Sequence, residues 1–237
     1  MAKASGGTRT KYPNKTNTPK QGKFKLTRQR STAPGGAQTE IEKITDAEFE
    51  ELNAQITKIL KDANVSLDNA QIVVSDITNS FTIKSKGIDI ERSVYPGKEM
   101  HHSWFKIGDK NARGKNVSKA IHRALIPLYE KMGIKKITVH AALENGGYTW
   151  AQYGFRVERY ETSWVIAQMS EKYSSRAQEI VNNFYETHPT SDKFPMYLIS
   201  RKEWGKAALS GLNWEGDIDL TDPVQRKDFY DYCGYKG

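Results

Sequence analysis

The chain has 237 residues, with 36 Lys or Arg, 28 Asp or Glu and a formal net charge of +8. Its single cysteine excludes an internal disulfide and a cysteine-rich zinc site, and no apolar run approaches the ~18 residues of a membrane-spanning helix. The first 39 residues carry nine Lys or Arg and no carboxylate, whereas the other 198 carry 27 basic and 28 acidic residues. The excess charge therefore belongs to an N-terminal arm, and the body is nearly neutral.

Residues 1–39 are predicted to form a basic arm that is disordered before it meets a partner. Tyr12, Phe24 and Leu26 are its only large apolar side chains, so burial cannot offset the entropy of ordering the chain. No secretory signal is expected, because an apolar stretch is missing. We expect the arm to contact nucleic acid or neighbouring subunits, and a solubilising tail is the alternative. The residues expected to make these contacts are Lys3, Arg9, Lys11, Lys15, Lys20, Lys23, Lys25, Arg28 and Arg30.

The folded body is predicted to begin with an amphipathic helix. Thr45 and Glu48 form a capping-box pair, and apolar residues at helical spacing follow as far as Ala63. Alternating and β-branched segments then predict four strands. They cover 70–78, 81–85, 88–94 and 103–107. Because turn residues separate neighbouring segments, an antiparallel meander is the simplest arrangement.

The middle of the chain alternates between helix and strand patterns. A polar loop over 108–115 precedes a predicted helix over 116–132, which Gly133 ends. A strand over 134–142, a short helix or turn over 146–153 and a strand over 155–167 follow. This order after a meander predicts an α/β or α+β domain over residues 40–169, with a mixed sheet flanked by helices.

Residues 170–237 are predicted to form a mainly helical extension. A helix is expected over 170–185, a brief strand over 196–199, and a helix that begins with a capping box of Ser200 and Glu203. Asp222 and Pro223 start a last helix. The extension has more aromatic residues than such short elements can bury alone, so we expect it to pack on the sheet or to bind a protein partner.

The element order and two local strings resemble the GNAT acetyltransferases. Arg113-Gly114-Lys115-Asn116-Val117-Ser118 stands where that family has a loop whose amides bind the cofactor pyrophosphate at a helix N-terminus. Asn145, followed by Gly154-Phe155, resembles a later motif of the family. The resemblance implies a GNAT-like sheet over about residues 45–167 and, for an active member, acetyl-CoA bound by residues 113–118.

The chain departs from the GNAT pattern at three positions. Asn116 and Ser118 replace glycines, and Trp150 replaces the tyrosine that protonates the departing thiolate, which an indole cannot do near neutral pH. Tyr148 and Tyr153 flank Trp150 and are the candidate replacements. His140 and Glu91 are candidate bases. His101, His102 and His140 lack the companions of a metal site, so no metal is expected.

A second resemblance concerns a domain of phage and mobile-element head-associated proteins. It rests on Gly146-Gly147-Tyr148-Thr149-Trp150-Ala151-Gln152-Tyr153-Gly154-Phe155 and on Trp214-Glu215-Gly216-Asp217-Ile218-Asp219-Leu220. It implies a structural virion protein that needs no cofactor and is found in the virion or the host cytoplasm.

Three functions remain open from the sequence. The first is a non-catalytic, head-associated phage protein with a GNAT-like fold, whose arm contacts packaged nucleic acid or neighbouring subunits. The second is an acetyl-CoA-dependent N-acetyltransferase. The third is a nucleic-acid-binding accessory protein of the ribosomal type, for which the body offers no RNA-binding signature.

Overall fold

The computed structural model describes residues 24–30, 38–112 and 115–236, and only the backbone of Asn111, Leu143 and Glu144. The strands are β1 (Lys25–Gln29), β2 (Gln71–Ser75), β3 (Ser80–Lys84), β4 (Ile88–Tyr95), β5 (Glu99–Ile107), β6 (Lys136–Ala141), β7 (Arg156–Glu158), β8 (Lys193–Pro195) and β9 (Trp214–Asp219). The helices are α1 (Asp46–Asp62), α2 (Val117–Met132), α3 (Leu143–Gln152), α4 (Arg159–Ala167), α5 (Glu171–Thr187), α6 (Tyr197–Ser200), α7 (Gly205–Leu209) and α8 (Pro223–Cys233). The α/β class is confirmed.

Within the described ranges all nine strands belong to one mixed sheet, in the order β1-β2-β3-β4-β5-β6-β9-β7-β8. The predicted meander is confirmed, since β2, β3, β4 and β5 pair antiparallel in sequence order. Strand β6 lies parallel to β5, after the crossover through α2. Among the helices of these ranges, none combines the length and hydropathy that a bilayer crossing requires.

The capping box at the start of α1 is confirmed. The amide of Glu48 donates to Thr45 Oγ1 at 3.3 Å, and the amide of Thr45 donates to the Glu48 carboxylate at 2.8 Å. The apolar residues of α1 are buried against the sheet. The predicted helix over 116–132 is confirmed as α2, and Gly133 ends it in the left-handed conformation at φ 69°.

The two faces of the sheet differ in polarity. Inward residues of the meander, such as Ile72, Ile83 and Ile90, are buried beneath the layer that contains α1, α2, α3 and α8. The alternate residues form what we call the open face, on which Glu91 and His140 are exposed. Alternation along each strand assigns a side chain to one face or the other.

The arm was predicted to be disordered over its whole length, and this is wrong for residues 24–30. Strand β1 pairs parallel with β2 at the edge of the sheet, and the Asn53 side chain donates to the Phe24 carbonyl at 2.9 Å. Arg28 donates to Asp76 at 3.0 Å and to the Ile44 carbonyl at 2.6 Å. Backbone pairing, one buried ion pair and the packing of Phe24 and Leu26 against the core hold this strand in place.

The predicted strand over 155–167 is wrong beyond residue 158. Strand β7 has three residues, and the chain then turns into α4. Aromatic and β-branched residues in this segment favour a strand. However, the buried residues Thr162, Val165 and Ile166 repeat at a helical spacing of three and four. Packing of that helical face decides the conformation.

The predictions over 196–211 also need correction. The strand lies at Lys193–Pro195, where it pairs with β7, and 197–200 form helix α6. The capping box of Ser200 and Glu203 does not form, because α7 begins later, at Gly205. A Cβ at Gly205 would lie 2.3 Å from the Ile199 carbonyl oxygen, so glycine is required at the first position of this helix.

Residues 170–237 contribute to the central sheet. Strand β9, which the sequence analysis did not predict, pairs with β6 on one side and with β7 on the other. Its residues Trp214 and Ile218 are buried. The last helix is confirmed as α8, and Asp222 accepts bonds from the amides of Val224 and Gln225. The sheet therefore contains strands from both sides of the predicted boundary at residue 169.

Candidate functional site

Strands β5 and β6 separate part-way along their length. Residues Glu99–His102 pair with 136–139, whereas the rest of β5 pairs with β4 alone. A cleft of about 300 Å³, which we call the α2 cleft, lies between the end of β5, the start of α2, α3 and α8. Its lining includes Ile107, Val117, Tyr148, Thr149 and Tyr232. Clefts between diverging elements are the usual position of small-molecule sites.

The first turn of α2 lies at this cleft. Asn116 has φ 53° and ψ 26°, and its own side chain makes no capping hydrogen bond. This left-handed conformation suits glycine best, and asparagine is among the few other residues that adopt it readily. Because the first turn of a helix lacks intrahelical acceptors for its amides, this end can receive an anion.

Ser118 and Tyr153 form the floor of the α2 cleft. Their hydroxyl oxygens are 2.7 Å apart, and Tyr153 is 1% exposed. Burial raises the pKa of Tyr153 well above its usual value, so its hydroxyl remains protonated. The Ser118 hydroxyl is thereby directed at Tyr153. Tyr148 is half-buried in the cleft wall.

The predicted cofactor residues are only partly gathered at the α2 cleft. Asn116, Val117 and Ser118 line it. Lys115 does not, because its Nζ atom donates to the Ala63 carbonyl at the end of α1, at 2.9 Å. Arg113 and Gly114 lie outside the described residues.

The candidate catalytic residues divide between the two faces of the sheet. Tyr148 and Tyr153 lie in the α2 cleft, on the face covered by helices. Glu91 and His140 lie on the open face, and His140 Nδ1 is 3.5 Å from a Glu215 carboxylate oxygen. The structure thus forms no single constellation of these four residues. Trp150 is buried among aromatic rings that include Phe155.

A buried polar network, which the sequence analysis missed, lies beneath the α2 cleft. Arg92 is fully buried in β4. Opposite it β5 forms a bulge with one extra residue, because Glu91 pairs with Trp104 whereas Ser93 pairs with His101. Its guanidinium donates to the carbonyls of Glu91 and Trp104 at 2.8 and 2.9 Å, and to the Tyr129 hydroxyl at 3.2 Å. Arg92 therefore satisfies acceptors that the bulge exposes.

The network continues through two buried histidines. His122 Nε2 is 3.3 Å from the Arg92 guanidinium, and its Nδ1 is 2.8 Å from the Ser118 carbonyl. Since Arg92 only donates, His122 accepts at Nε2 and carries its proton on Nδ1. The Tyr129 hydroxyl oxygen lies 3.0 Å from His102 Nε2, within hydrogen-bond distance. Burial, and then the Arg92 charge, lower the pKa of His122 to about 3.

The sequence contained a signal for this network. Arg92 occupies an inward position in the alternation of β4, and His122 lies one helical turn after Ser118 on the inward side of α2. A polar residue at a core position requires partners. The sequence could not identify those partners, because they come from different elements.

The predicted partner-binding cations have different environments. Arg28 does not fit that prediction, because its side chain is 6% exposed and paired with Asp76. Arg30 is exposed and pairs with Asp46 at 2.7 Å. Lys25 is exposed on β1. Lys3, Arg9, Lys11, Lys15, Lys20 and Lys23 lie outside the described residues.

The two strings that carry the second resemblance pack against each other. A Cβ at Gly147 in α3 would lie 2.4 Å from the Leu209 carbonyl oxygen and 3.2 Å from Trp214 Nε1. Only glycine permits this approach without displacement. The segment before β9 and helix α3 therefore form one packed unit.

Scans against protein-family models, curated proteins and solved structures found no match for this chain.

Proposed function

We propose that this chain is a head-associated phage protein with an acetyltransferase-like fold, which binds its partners without catalysing a reaction on them. The separation of the candidate catalytic groups carries the non-catalytic part of this proposal. Tyr148 and Tyr153 line the α2 cleft, whereas Glu91 and His140 lie on the open face. General base catalysis needs the base within about 2.6–3.2 Å of the proton it removes, and the sheet lies between these two pairs.

The resemblance to phage head-associated proteins supports the biological part. The first string ends at Phe155 and the second begins at Trp214, so 58 residues separate them along the chain. The close contact of Gly147 with Trp214 joins them in the fold. This contact supports treating both strings as the signature of one domain, as the resemblance requires.

The nucleic-acid part of the proposal rests on charge. Six basic residues occur among residues 1–23 without a carboxylate, and the exposed Lys25 follows them. The body, by contrast, carries nearly equal numbers of basic and acidic residues. Sequence-independent binding to phosphates scales with the number of cations that contact the backbone. We therefore assign the contact to this N-terminal segment.

A salt titration of duplex-DNA binding tests this assignment. The test variant replaces Lys3, Arg9, Lys11, Lys15, Lys20 and Lys23 with Gln, and the control variant replaces the exposed Lys86, Lys106, Lys110, Lys172, Lys202 and Lys206 with Gln. Each lost phosphate contact should reduce the slope of log K against log salt by about 0.9. We expect a large reduction in the test variant and little in the control. Equal slopes in both variants would contradict the assignment.

Mass spectrometry of purified particles tests the virion part. We expect peptides of this chain in particles that have been treated with protease-free nuclease and sedimented to constant composition. Absence from particles, with presence in the lysate of the same infection, would contradict a head-associated role.

A second candidate function, an acetyl-CoA-dependent N-acetyltransferase, is favoured by the backbone at Asn116. Its left-handed conformation reproduces what a glycine of the GNAT loop would supply, and Ser118 turns its hydroxyl onto Tyr153. The residues thus fit coenzyme A, which the first amides of α2 would hold and which would bring the acetyl group as a thioester. Tyr148 is then the proton donor in this candidate, because the Tyr153 hydroxyl is buried.

Binding of acetyl-CoA discriminates between the two candidates. A ligand at 100 times its Kd stabilises the folded chain by about 2.7 kcal/mol, which a thermal shift detects. The Asn116→Asp variant places a negative charge at the α2 cleft and should reduce the shift, whereas Asn183→Asp on the exposed side of α5 should not. No shift of the wild-type chain at millimolar acetyl-CoA would rule out the second candidate.

A further inference from the structure

The open face contains a second cleft, of about 310 Å³, which lies between strands β5, β6, β9 and β7 and the first turn of α4. We call it the acidic cleft. Five carboxylate side chains line it, namely Glu99, Glu158, Glu161, Glu215 and Asp217. It is separate from the α2 cleft, which lies on the other face of the sheet.

The carboxylates of the acidic cleft outnumber the cations beside them. Lys136 pairs with Glu99 at 2.6 Å, Lys193 is shared between Glu158 and Asp217, and Arg156 completes the set. Five negative charges thus face three positive ones, which leaves −2. Among the described residues, neither Glu161 nor Glu215 has a Lys or Arg within ion-pair distance, and the neighbour of Glu215 is His140, whose Nδ1 atom is 3.5 Å away.

Asp217 gives an independent indication of a missing donor. Its residue surface is 9% exposed, and Lys193 binds only its Oδ2 atom. The Oδ1 atom is buried and has no hydrogen-bond partner within the described part of the chain, and the same holds for the Nε atom of Arg156, its neighbour across the strands. A basic peptide offers a cationic donor to the first atom and a backbone carbonyl to the second. A buried acceptor left unsatisfied destabilises the fold, and more so when it is charged. A cationic donor entering the acidic cleft would offset that cost.

Aromatic side chains adjoin the same cleft. Tyr160, in the first turn of α4, is 78% exposed and lines it, and Trp164, one turn later, is 58% exposed. Exposed aromatic faces next to carboxylates attract ammonium and guanidinium groups. A phosphate would be repelled by the excess negative charge, so the chemistry of the cleft favours a cation over a nucleic acid.

We propose that the acidic cleft binds an organic cation, the guanidinium or ammonium group of a basic peptide or free amine. Glu161, Glu215 and Asp217 supply the charge, and Tyr160 covers the bound group. Two sources offer this chemistry, the basic residues of the chain's own segment 1–23 and a separate molecule. The inference goes beyond the proposed function and does not depend on it.

Calorimetric titration with a blocked Arg-Lys-Arg tripeptide, at low ionic strength, tests the site on the full chain. The double variant Glu161→Gln/Glu215→Gln should weaken binding about fivefold, since each carboxylate contributes a fraction of a kcal/mol at a partly exposed site. The control Glu51→Gln/Glu171→Gln removes the same charge from exposed positions of α1 and α5 and should leave the affinity within about twofold. A blocked Gln-Gln-Gln tripeptide should not bind.

A second titration identifies the source of the natural cation. The chain with Lys3, Arg9, Lys11, Lys15, Lys20 and Lys23 replaced by Gln is titrated with the same tripeptide. Tighter binding than to the wild type means that the chain's own segment competes for the acidic cleft, and equal binding means that a separate molecule occupies it. The proposal is overturned if the tripeptide binds no better than its neutral analogue, or if the two double variants weaken binding equally.

Discussion

The guanidinium of Arg92 donates to His122 Nε2 at 3.3 Å, and both side chains are fully buried. The nearest partners of Arg92 are carbonyl oxygens, a tyrosine hydroxyl and this imidazole, and within the described residues no ion pair joins it to a carboxylate. A buried cation is tolerated when its donors are satisfied. His122 must therefore stay neutral, because a second positive charge at this distance would be strongly unfavourable.

Acid should destabilise the fold through this pair. The pKa of His122 is lowered from 6.5 to about 3, and that of His102 is lowered well below 6.5. Between pH 6.5 and 3 the unfolded chain binds protons that the folded chain does not, so stability falls as pH falls. The slope should approach about 1.4 kcal/mol per pH unit for each histidine. Urea unfolding at pH 7, 6 and 5 measures it.

The variant His122→Gln isolates that contribution. The slope of its unfolding free energy against pH should be smaller than that of the wild type by nearly the contribution of one histidine, about 1.4 kcal/mol per pH unit. Asn183→Gln, at an exposed position on α5, removes no titrating group and should keep the wild-type slope. An unchanged slope in His122→Gln would show that this histidine does not titrate on unfolding.

The buried ion pair of β1 should contribute more to the free energy of unfolding than the exposed pair beside it. The side chains of Arg28 and Asp76 are 6% and 2% exposed, whereas those of Arg30 and Asp46 are 63% and 53% exposed. Arg28→Ala leaves a buried carboxylate unpaired, at a cost of about 3–5 kcal/mol. Arg30→Ala should cost less than about 1 kcal/mol. Comparable losses in urea unfolding of the two variants would contradict this ranking.

Gly147 should not tolerate a side chain. In Gly147→Ala the new Cβ would lie 2.4 Å from the Leu209 carbonyl oxygen, which belongs to the backbone and cannot rotate away. We expect a loss of about 1–3 kcal/mol, as for overpacked cores. Gly108→Ala adds a methyl group where nothing lies within 4 Å, and it should be close to neutral. Thermal unfolding of both variants measures the difference.

The left-handed conformation of Asn116 predicts how the thermal stability of variants at this position should rank. Asn116→Gly should be neutral or stabilising, because glycine adopts φ 53° without steric cost. Asn116→Ala should cost about 1 kcal/mol and Asn116→Val more, since a β-branched residue is strained there. The order Gly, Asn, Ala, Val in thermal stability is the expected result. A valine variant as stable as the glycine variant would contradict the assigned conformation.

Cys233 should be unreactive in the folded chain. It is 2% exposed, and burial raises the pKa of its thiol to about 12. Since the thiolate is the reactive form, an alkylating reagent near neutral pH should modify it slowly. Reaction should become fast once urea unfolds the chain. Equal rates in the folded and unfolded chain would show that the cysteine is accessible.

The elements that the sequence predicted are those with local determinants. The capping box of Thr45 and Glu48 and the turn at Gly133 lie within a few residues of the bonds they form. Strand β1 could not be predicted, because Arg28 finds Asp76 only after distant segments pair. Helix α4 was missed because its strand-forming residues outweighed a helical spacing of buried positions.

The candidate site was predictable in part for the same reason. The loop at residues 113–118 and the tyrosines around Trp150 are recognisable along the chain. Their meeting depends on α3 packing beside α2, which brings Ser118 to Tyr153 across 35 positions. The acidic cleft depends on β9 lying beside β6 and β7, and no local pattern indicates that neighbour.

Insertion of β9 between β6 and β7 has a consequence for synthesis on the ribosome. While the nascent chain is still being translated, β6 has no antiparallel neighbour and β7 cannot join the sheet, since residues 214–219 emerge late. Contacts between segments so distant in sequence form slowly, and unpaired strand edges promote aggregation. Chains that stop before residue 214 should therefore depend on chaperones or be degraded.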